Sequence, residues 1–296
     1  MTAYELEPYE PARREDYLRL LRDAWGDGAL TGEEFDWWFD RNPAGSLMSV
    51  ARANGRVVGV AAHSLYRMVL DGRERLAAFS VHATTDASAR RQGIFPALER
   101  RHEQEAKERG AAVVLAFASR PTTPIFLGPL GWSPIGRLRV WARPLPALLR
   151  PRAAADQVER FAHEGDAARG WPSQVIRDTA YLNWRYLESP KGYSAIGGLD
   201  GYAVLGHKRH RGTPIAYVAD LVARDPLPLL RACLARARPG ARALLALPAP
   251  EHRRAYAALG FVPTPISLNF MGKALAGKLN PDPRAWRVTL GDADFF

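Results

Sequence analysis

Apolar residues at Tyr17, Leu18, Leu21 and Trp25, set among Arg, Asp and Glu, fall close to helical spacing and predict a helix over Arg13–Trp25. A short second helix is predicted from Thr31, with Glu33 and Glu34 in its first turn and Pro43 beyond its end. Two β-prone runs follow, Leu47–Ala53 and Arg56–Leu70, separated by Asn54-Gly55, a strong hairpin signal. Asp71-Gly72 repeats that signal and launches a third strand from Arg73 to about Thr85. Two helices and three antiparallel strands are expected in this stretch.

That third strand ends in Ala83-Thr84-Thr85, and the loop Arg90-Arg91-Gln92-Gly93 then leads into a helix from Ile94 to Arg109. Gly110 caps the helix, and Val113–Ala118 reads as an apolar strand. Such a strand–loop–helix junction aims backbone N–H groups and the positive end of the helix dipole at one point. Gly93 lets a ligand come close to the backbone, and Arg90 and Arg91 add charge. The chemistry this suits is cradling a pyrophosphate; the plain alternative is a solvated basic helix start. Beyond the strand lie Ser119-Arg120-Pro121-Thr122-Thr123-Pro124, a short helix and Leu130-Gly131-Trp132. A last β-prone run, Arg137–Arg143, is expected to close the unit.

A chain of 296 residues is long enough for two domains with sizeable cores. With 47% hydrophobic and 24% charged residues it is neither disordered nor fibrous in composition. No apolar run reaches the ~18 residues of a membrane span, and the first residues lack a signal-peptide core. A single cysteine, Cys233, excludes an internal disulfide framework and fits a cytoplasmic setting. Its neighbourhood, LLRACLARA, makes it a small buried hydrophobe. The net charge of +10 comes almost wholly from arginine. Those arginines are scattered rather than gathered among aromatics, which argues against nucleic acid and leaves a phosphorylated cofactor as the better partner.

The order of elements over about residues 1–145, with Arg90-Arg91-Gln92-Gly93-Ile94-Phe95 at its centre, resembles the GNAT superfamily of acyl-CoA-dependent N-acetyltransferases. The loop matches the family's Q/R-x-x-G-x-G/A pattern at Arg90 and Gly93 but carries Phe95 where glycine or alanine is usual. The resemblance implies an α+β fold, acetyl-CoA as acyl donor, no metal, and direct attack of a small-molecule amine on the thioester. It implies that Ala83, Thr84 and Thr85 pair with the pantetheine arm. Arg90, Arg91, Gln92, Gly93, Ile94 and Phe95 would take the pyrophosphate, with Ser119 nearby. The tyrosine the family places four residues before Gly131 is Leu127 here, and no carboxylate stands along Phe79–Ala83. His82 is the titratable side chain of that strand and the candidate base, against the reading of a packed strand histidine. Tyr181 or Tyr186 is the candidate acid.

The second half repeats the plan: strand Ala216–Val222, helix Leu227–Arg238, Gly240, strand Ala243–Leu247, and a short helix Pro250–Leu259 ending in Leu259-Gly260-Phe261. Two tandem GNAT-like domains are therefore expected, 1–145 and 146–296, each a mixed, mostly antiparallel sheet flanked by helices, with the Pro- and Ala-rich Pro144–Ala155 between them. The second lacks the cradle, because Arg224-Asp225-Pro226-Leu227 offers a repelling carboxylate and a proline without an N–H. Trp184 and Arg185 in Asn183-Trp184-Arg185-Tyr186 are candidates for binding substrate or for docking the repeats. Trp37, beside Trp38, is a candidate for lining the acceptor cleft. The tail Gly291-Asp292-Ala293-Asp294-Phe295-Phe296 is expected to fold back between the repeats, where Asp292, Asp294 or the terminal carboxylate would hold the substrate ammonium. A homodimer is left open. Two other readings stand beside the acyltransferase: a CoA-binding scaffold without activity, and a Fem-type transferase that takes aminoacyl-tRNA.

Overall fold

The computed structural model describes residues 4–145, 156–162, 170–198, 201–210, 212–237 and 240–293. The chain divides into two compact units: Met1–Met68, Arg73–Gly136 and Asn269–Pro281 form the first, and Val69–Gly72, Arg137–Leu268 and Asp282–Phe296 form the second.

In the first unit β1 (Glu5–Pro8) is followed by α1 (Arg14–Trp25) and α2 (Gly32–Phe35). Thr31 and Glu34 form a reciprocal capping box that starts α2, and α2 runs on into a single π turn, Asp36–Asp40. Strands β2 (Ser46–Ala53), β3 (Arg56–Leu70) and β4 (Arg73–Thr85) come next. Asn54, Gly55, Asp71 and Gly72 all take positive φ, so both predicted hairpins turn as the right-handed twist of the strands requires. Helix α3 (Ile94–Glu108), β5 (Ala111–Ala118) and α4 (Thr123–Leu127) follow. The sheet order is β1-β2-β3-β4-β5, with β4 and β5 parallel. Helix α3 packs its Ile94 and Leu98 onto Ala51 and Ala61 of the sheet.

The second unit holds most of β6 (Ser133–Pro144), β7 (Asp156–Gln157), β8 (Ser173–Val175), α5 (Thr179–Leu182), β9 (Ser194–Gly198), β10 (Gly201–His210) and β11 (Thr213–Ala223). It continues with α6 (Leu227–Arg236), β12 (Ala243–Ala246), α7 (Arg253–Ala258) and the first part of β13 (Val262–Ala274), and later β14 (Trp286–Arg287). Asp178 caps α5, which also runs into a π turn, Asn183–Leu187. Its sheet order is β6-β12-β11-β10-β9-β7, with β11 and β12 parallel. Cys233 is buried in the core between α6 and this sheet, as its apolar setting predicts, and burial pushes its thiol up to about 12.

One expectation is corrected. The run Arg137–Arg143 is a strand, but it pairs with β12 in the second unit, Leu244 opposite Arg143. The edge of β5 in the first unit is taken instead by the end of β13, Asn269 opposite Ala118 through Ala274 opposite Val113. Strand periodicity fixes which side chains face inward and says nothing about which neighbour a strand will find.

Candidate active site

Strands β4 and β5 pair from Leu76–Ala111 to Phe79–Leu115, with a bulge between Leu76 and Ala77. Beyond that pair β4 runs on to Thr85 and β5 to Ala118, and no register between them is found among the described residues. Ala83, Thr84 and Thr85, all half-buried, lie at the end of β4 beyond that last pair. Asp86 then turns the chain, its carboxylate accepting from the Ser88 hydroxyl at 2.6 Å and the Ser88 N–H at 2.9 Å; these bonds hold the carboxyl below its ordinary range.

The loop into α3 is built by two left-handed residues, Arg91 at φ +63° and Gly93 at φ +82°. Gly93 is the N-cap of α3, and a side chain there would be strained by the backbone angle rather than by its neighbours, since the nearest atom to an added Cβ is the Tyr4 hydroxyl at 3.8 Å. In the first turn Ile94 and Phe95 carry N–H groups without intrahelical acceptors, and Pro96 carries none. Arg90 and Arg91 are exposed, and Arg90 folds back to donate to the Thr85 carbonyl at 3.2 Å. The ring of Phe95 does not fill the cradle: it stands edge-on to Phe126 of α4 at 5.5 Å. Ser119, at the end of β5, is exposed, and its hydroxyl pairs with that of Thr122 at 2.9 Å. Arg90, Arg91 and Gly93 are thus exposed at the N-terminus of α3, an arrangement that suits phosphate oxygens.

His82 stands just before this edge, at φ +48°. Its imidazole is 5.2 Å from the ring of Trp38, 5.8 Å from Phe39 and 6.0 Å from Trp25, and the Tyr17 hydroxyl donates to its carbonyl at 3.4 Å. Trp37, the tryptophan predicted to line a cleft, is fully buried against Trp38. Trp25, which sequence reasoning used only as an apolar position of α1, is the exposed indole of the group, at 41%. A helix-end tryptophan followed by Gly26-Asp27-Gly28 was the available signal.

Beneath β4 lies a buried polar cluster that periodicity does not reveal. The Ser80 hydroxyl donates to Glu99 Oε1 at 2.9 Å, and His63 Nε2 lies 2.9 Å from Glu99 Oε2. On the same helix His102 Nε2 meets the Ser49 hydroxyl at 2.9 Å, and burial pushes that imidazole well below its usual range, so it is neutral. Glu103 accepts from Trp132 Nε1 and from Lys273 Nζ, both at 2.6 Å.

The remaining candidates belong to the second unit. Trp184, Arg185, Tyr186 and Asp292 are all buried. Asp292 receives Arg177 Nη2 at 3.1 Å and the Thr289 N–H at 2.8 Å. The phenol of Tyr186 donates to Asp220 Oδ2 at 3.3 Å, and burial together with Asp220 raises it well above 10. Tyr181 donates to Asp292 Oδ1 at 3.4 Å. Arg185 donates to the carbonyls of Gly291 at 3.0 Å and Ala293 at 3.5 Å. Strands β11 and β12 also part, after Tyr217–Leu245, and β11 bulges at Ala219. The turn Leu290–Asp292 lies against that stretch: a Cβ on Gly291 would come 2.9 Å from the Ala219 carbonyl and collide with the Tyr186 hydroxyl. Asp294 lies outside the described residues. Leu127 is exposed at 41% and offers no proton. Among the described residues no group of His, Cys, Asp and Glu is placed to hold a metal, and no helix is long and apolar enough to cross a membrane.

Residues 5–135 match the acetyltransferase (GNAT) domain model. No curated protein matches the sequence significantly. Among solved structures, a putative acetyltransferase from Pyrococcus horikoshii is 14% identical, with a TM-score of 0.67 over 100% of this chain and 96% of that one. A GCN5-related N-acetyltransferase from Kribbella flavida is 18% identical, with a TM-score of 0.62 over 92% and 71%. The Saccharomyces cerevisiae N-myristoyltransferase with bound myristoyl-CoA is 12% identical, with a TM-score of 0.66 over 92% and 83%. At these identities the likeness is one of fold: a mixed α+β architecture shared with these three proteins.

Proposed function

We propose that this protein is an acetyl-CoA-dependent N-acyltransferase acting on the primary amine of a small molecule, with its acyl-CoA site in the first unit. The observation that carries the reading is the parting of β4 from β5 directly before a left-handed, arginine-bearing loop that opens α3. The free backbone edge of Ala83, Thr84 and Thr85 would hold the pantetheine amides. The N–H groups of Ile94 and Phe95, with Arg90, Arg91 and Gln92 around Gly93, would hold the pyrophosphate, and Ser119 would border it. The acyl donor supplies the thioester; the chain's part is to place the amine against it and to take the proton. His82 is the group that takes it. The amine nitrogen bonds to the carbonyl carbon, the C–S bond breaks, the ammonium proton passes to His82, and the thiolate leaves to be protonated.

The tandem reading is supported by the sequence of elements in each unit. A capped four-residue helix continues as a π turn in both, and Trp37 of the first π turn occupies the position of Trp184 in the second. Counting from the last parallel pairs, Phe79–Leu115 and Tyr217–Leu245, His82 corresponds to Asp220. We read residues 1–145 as the working repeat and 146–296 as a degenerate one whose cleft is filled by its own C-terminal segment. Arg185 and Tyr186 then hold that segment, and its Asp292 pairs with Arg177.

The test is thiol release from acetyl-CoA with a panel of amines, read together with the mass of the acetylated product. Release coupled to product supports the reading. Binding of acetyl-CoA with no release from any amine leaves the scaffold reading in its place.

A further inference from the structure

We infer that Glu99 is a positioning residue for the acyl donor: it holds the end of β4, proposed for the pantetheine arm, at a fixed separation from the first turn of α3, proposed for the pyrophosphate. The inference rests on the acyltransferase reading and says which side chain sets the span of its donor site. A donor gripped at both places is held by two elements that residues 86–93 join, with the 3-10 turn Ala87–Ala89 between them. Registry between strand and helix comes from the contacts they make with each other and with the sheet. Ile94 and Leu98 supply apolar contacts with Ala51, Ala61 and Ala89, and such contacts have no preferred direction. Hydrogen bonds do.

Glu99 supplies them where the sheet opens. It is buried in the second turn of α3, with Ser80 of β4 on one oxygen and His63 of β3 on the other, both at 2.9 Å. Ser80 directly follows Phe79, the last residue of β4 paired with β5, and comes just before His82 and Ala83. Among the described residues no other side chain of α3 hydrogen-bonds to β4: His102 reaches Ser49 of β2, and Glu103 reaches Trp132 and Lys273. Two bonds from two strands fix both the height and the rotation of the carboxylate. Shortening the side chain by one methylene, as in Glu99→Asp, keeps it from meeting both strands unless the helix moves. Glutamine keeps the length. Its carbonyl can accept from Ser80 and its N–H can donate to His63, whose Nδ1 has no partner among the described residues and can carry the ring proton instead.

The experiment measures Kd for acetyl-CoA and for its two pieces, acetyl-pantetheine and ADP, in the wild type, Glu99→Asp, Glu99→Gln and Ser80→Ala, well below each melting temperature. A ligand that bridges two anchor points loses affinity when their span changes, whereas a piece that touches one anchor does not. The inference predicts that acetyl-CoA binds about tenfold more weakly to Glu99→Asp and to Ser80→Ala, and that Glu99→Gln stays within about twofold of the wild type. Each piece should bind all four proteins alike. Ser80→Ala cuts the tie to β4 and leaves the Glu99–His63 pair, so it carries the test if Glu99→Asp does not fold. Pieces that lose affinity in step with the whole would make Glu99 a merely structural residue and overturn the inference. Acetyl-CoA affinity unmoved in Glu99→Asp and Ser80→Ala overturns it too, and so does a Glu99→Gln as weak as Glu99→Asp. All three outcomes leave the acyltransferase reading standing. A wild type that does not bind acetyl-CoA ends that reading and the inference with it.

Discussion

The hydroxyl of Ser80 on β4 donates to the buried carboxylate of Glu99 on α3 at 2.9 Å, one residue past the last pair that joins β4 to β5. The other oxygen of Glu99 meets His63 of β3 at 2.9 Å. One side chain therefore ties two strands to the helix whose N-terminus forms the cradle, at the place where the sheet opens. Replacing Glu99 by Ala leaves the half-buried Ser80 hydroxyl and the buried His63 imidazole without that acceptor, at about 1–3 kcal/mol for the buried group and less for the other. Urea unfolding should show a loss of ~2–4 kcal/mol for Glu99→Ala and a clearly smaller loss for Glu99→Gln, which keeps the shape and an acceptor. Equal losses would mean that the shape of the side chain, not its hydrogen bonds, is what matters.

In the second unit Asp220 is the focus of a buried network. Arg177 Nε reaches it at 2.7 Å, Arg287 Nη2 at 3.4 Å and the Tyr202 phenol at 3.2 Å. Burial alone would raise its carboxyl, but Arg177 and Arg287 outweigh that and hold it below the usual carboxylate range. A group whose folded pKa is depressed stabilises the fold above its unfolded value, near 3.9, and that contribution is lost as pH falls through the folded value. Asp220→Asn leaves buried arginines uncompensated and should cost about 3–5 kcal/mol at pH 7. The variant should also show a shallower loss of stability below pH 4 than the wild type. Parallel acid-unfolding curves would remove Asp220 as the group responsible.

Much of the first unit is written in its turns and apolar spacing. Asn54-Gly55, Asp71-Gly72, Gly93 and Gly110 all stand where the chain needs positive φ, and they bracket the strands and helix that make the cradle. The backbone part of the site was legible for that reason. What was hidden depends on contacts distant in sequence. Nothing local tells Arg137–Arg143 that it will pair with β12, nor says that the inward face of α3 carries Glu99, His102 and Glu103 opposite Ser80, His63, Ser49 and Lys273. Likewise the choice between Trp25, Trp37 and Trp38 as the exposed ring rests on how a π turn rotates the last two inward. The pairing of Asp292 with Arg177, 115 residues away, was equally invisible in the local sequence.

Lys208 is buried enough, and near enough to Lys191, that its ammonium falls to about 8 despite the opposing effect of Tyr193. Its folded pKa lies below the unfolded value near 10.4, so the unfolded chain binds the proton more tightly. The penalty is fully present below pH 8 and disappears as pH rises from about 8 to about 10.4. After ¹³C-dimethylation, one lysine signal should titrate near pH 8 and vanish in Lys208→Arg. All signals titrating above pH 10 would contradict this.

His82 occupies a left-handed backbone position that asparagine tolerates, so His82→Asn removes the imidazole with little backbone strain. If His82 takes the ammonium proton, kcat should fall by roughly 10²–10⁴ while acetyl-CoA still binds with wild-type affinity. A kcat within twofold of wild type would make His82 a packing residue of the aromatic cluster.

The central claim is that the loop around Gly93 holds an acyl-CoA. Calorimetric titration of acetyl-CoA into the wild type and Gly93→Asp tests it most directly, because the variant puts a carboxylate where the pyrophosphate would lie and adds strain at φ +82°. The account predicts micromolar binding by the wild type and none by the variant, with both proteins showing the same circular dichroism spectrum. A wild type that does not bind, or a variant that binds equally well, would contradict it.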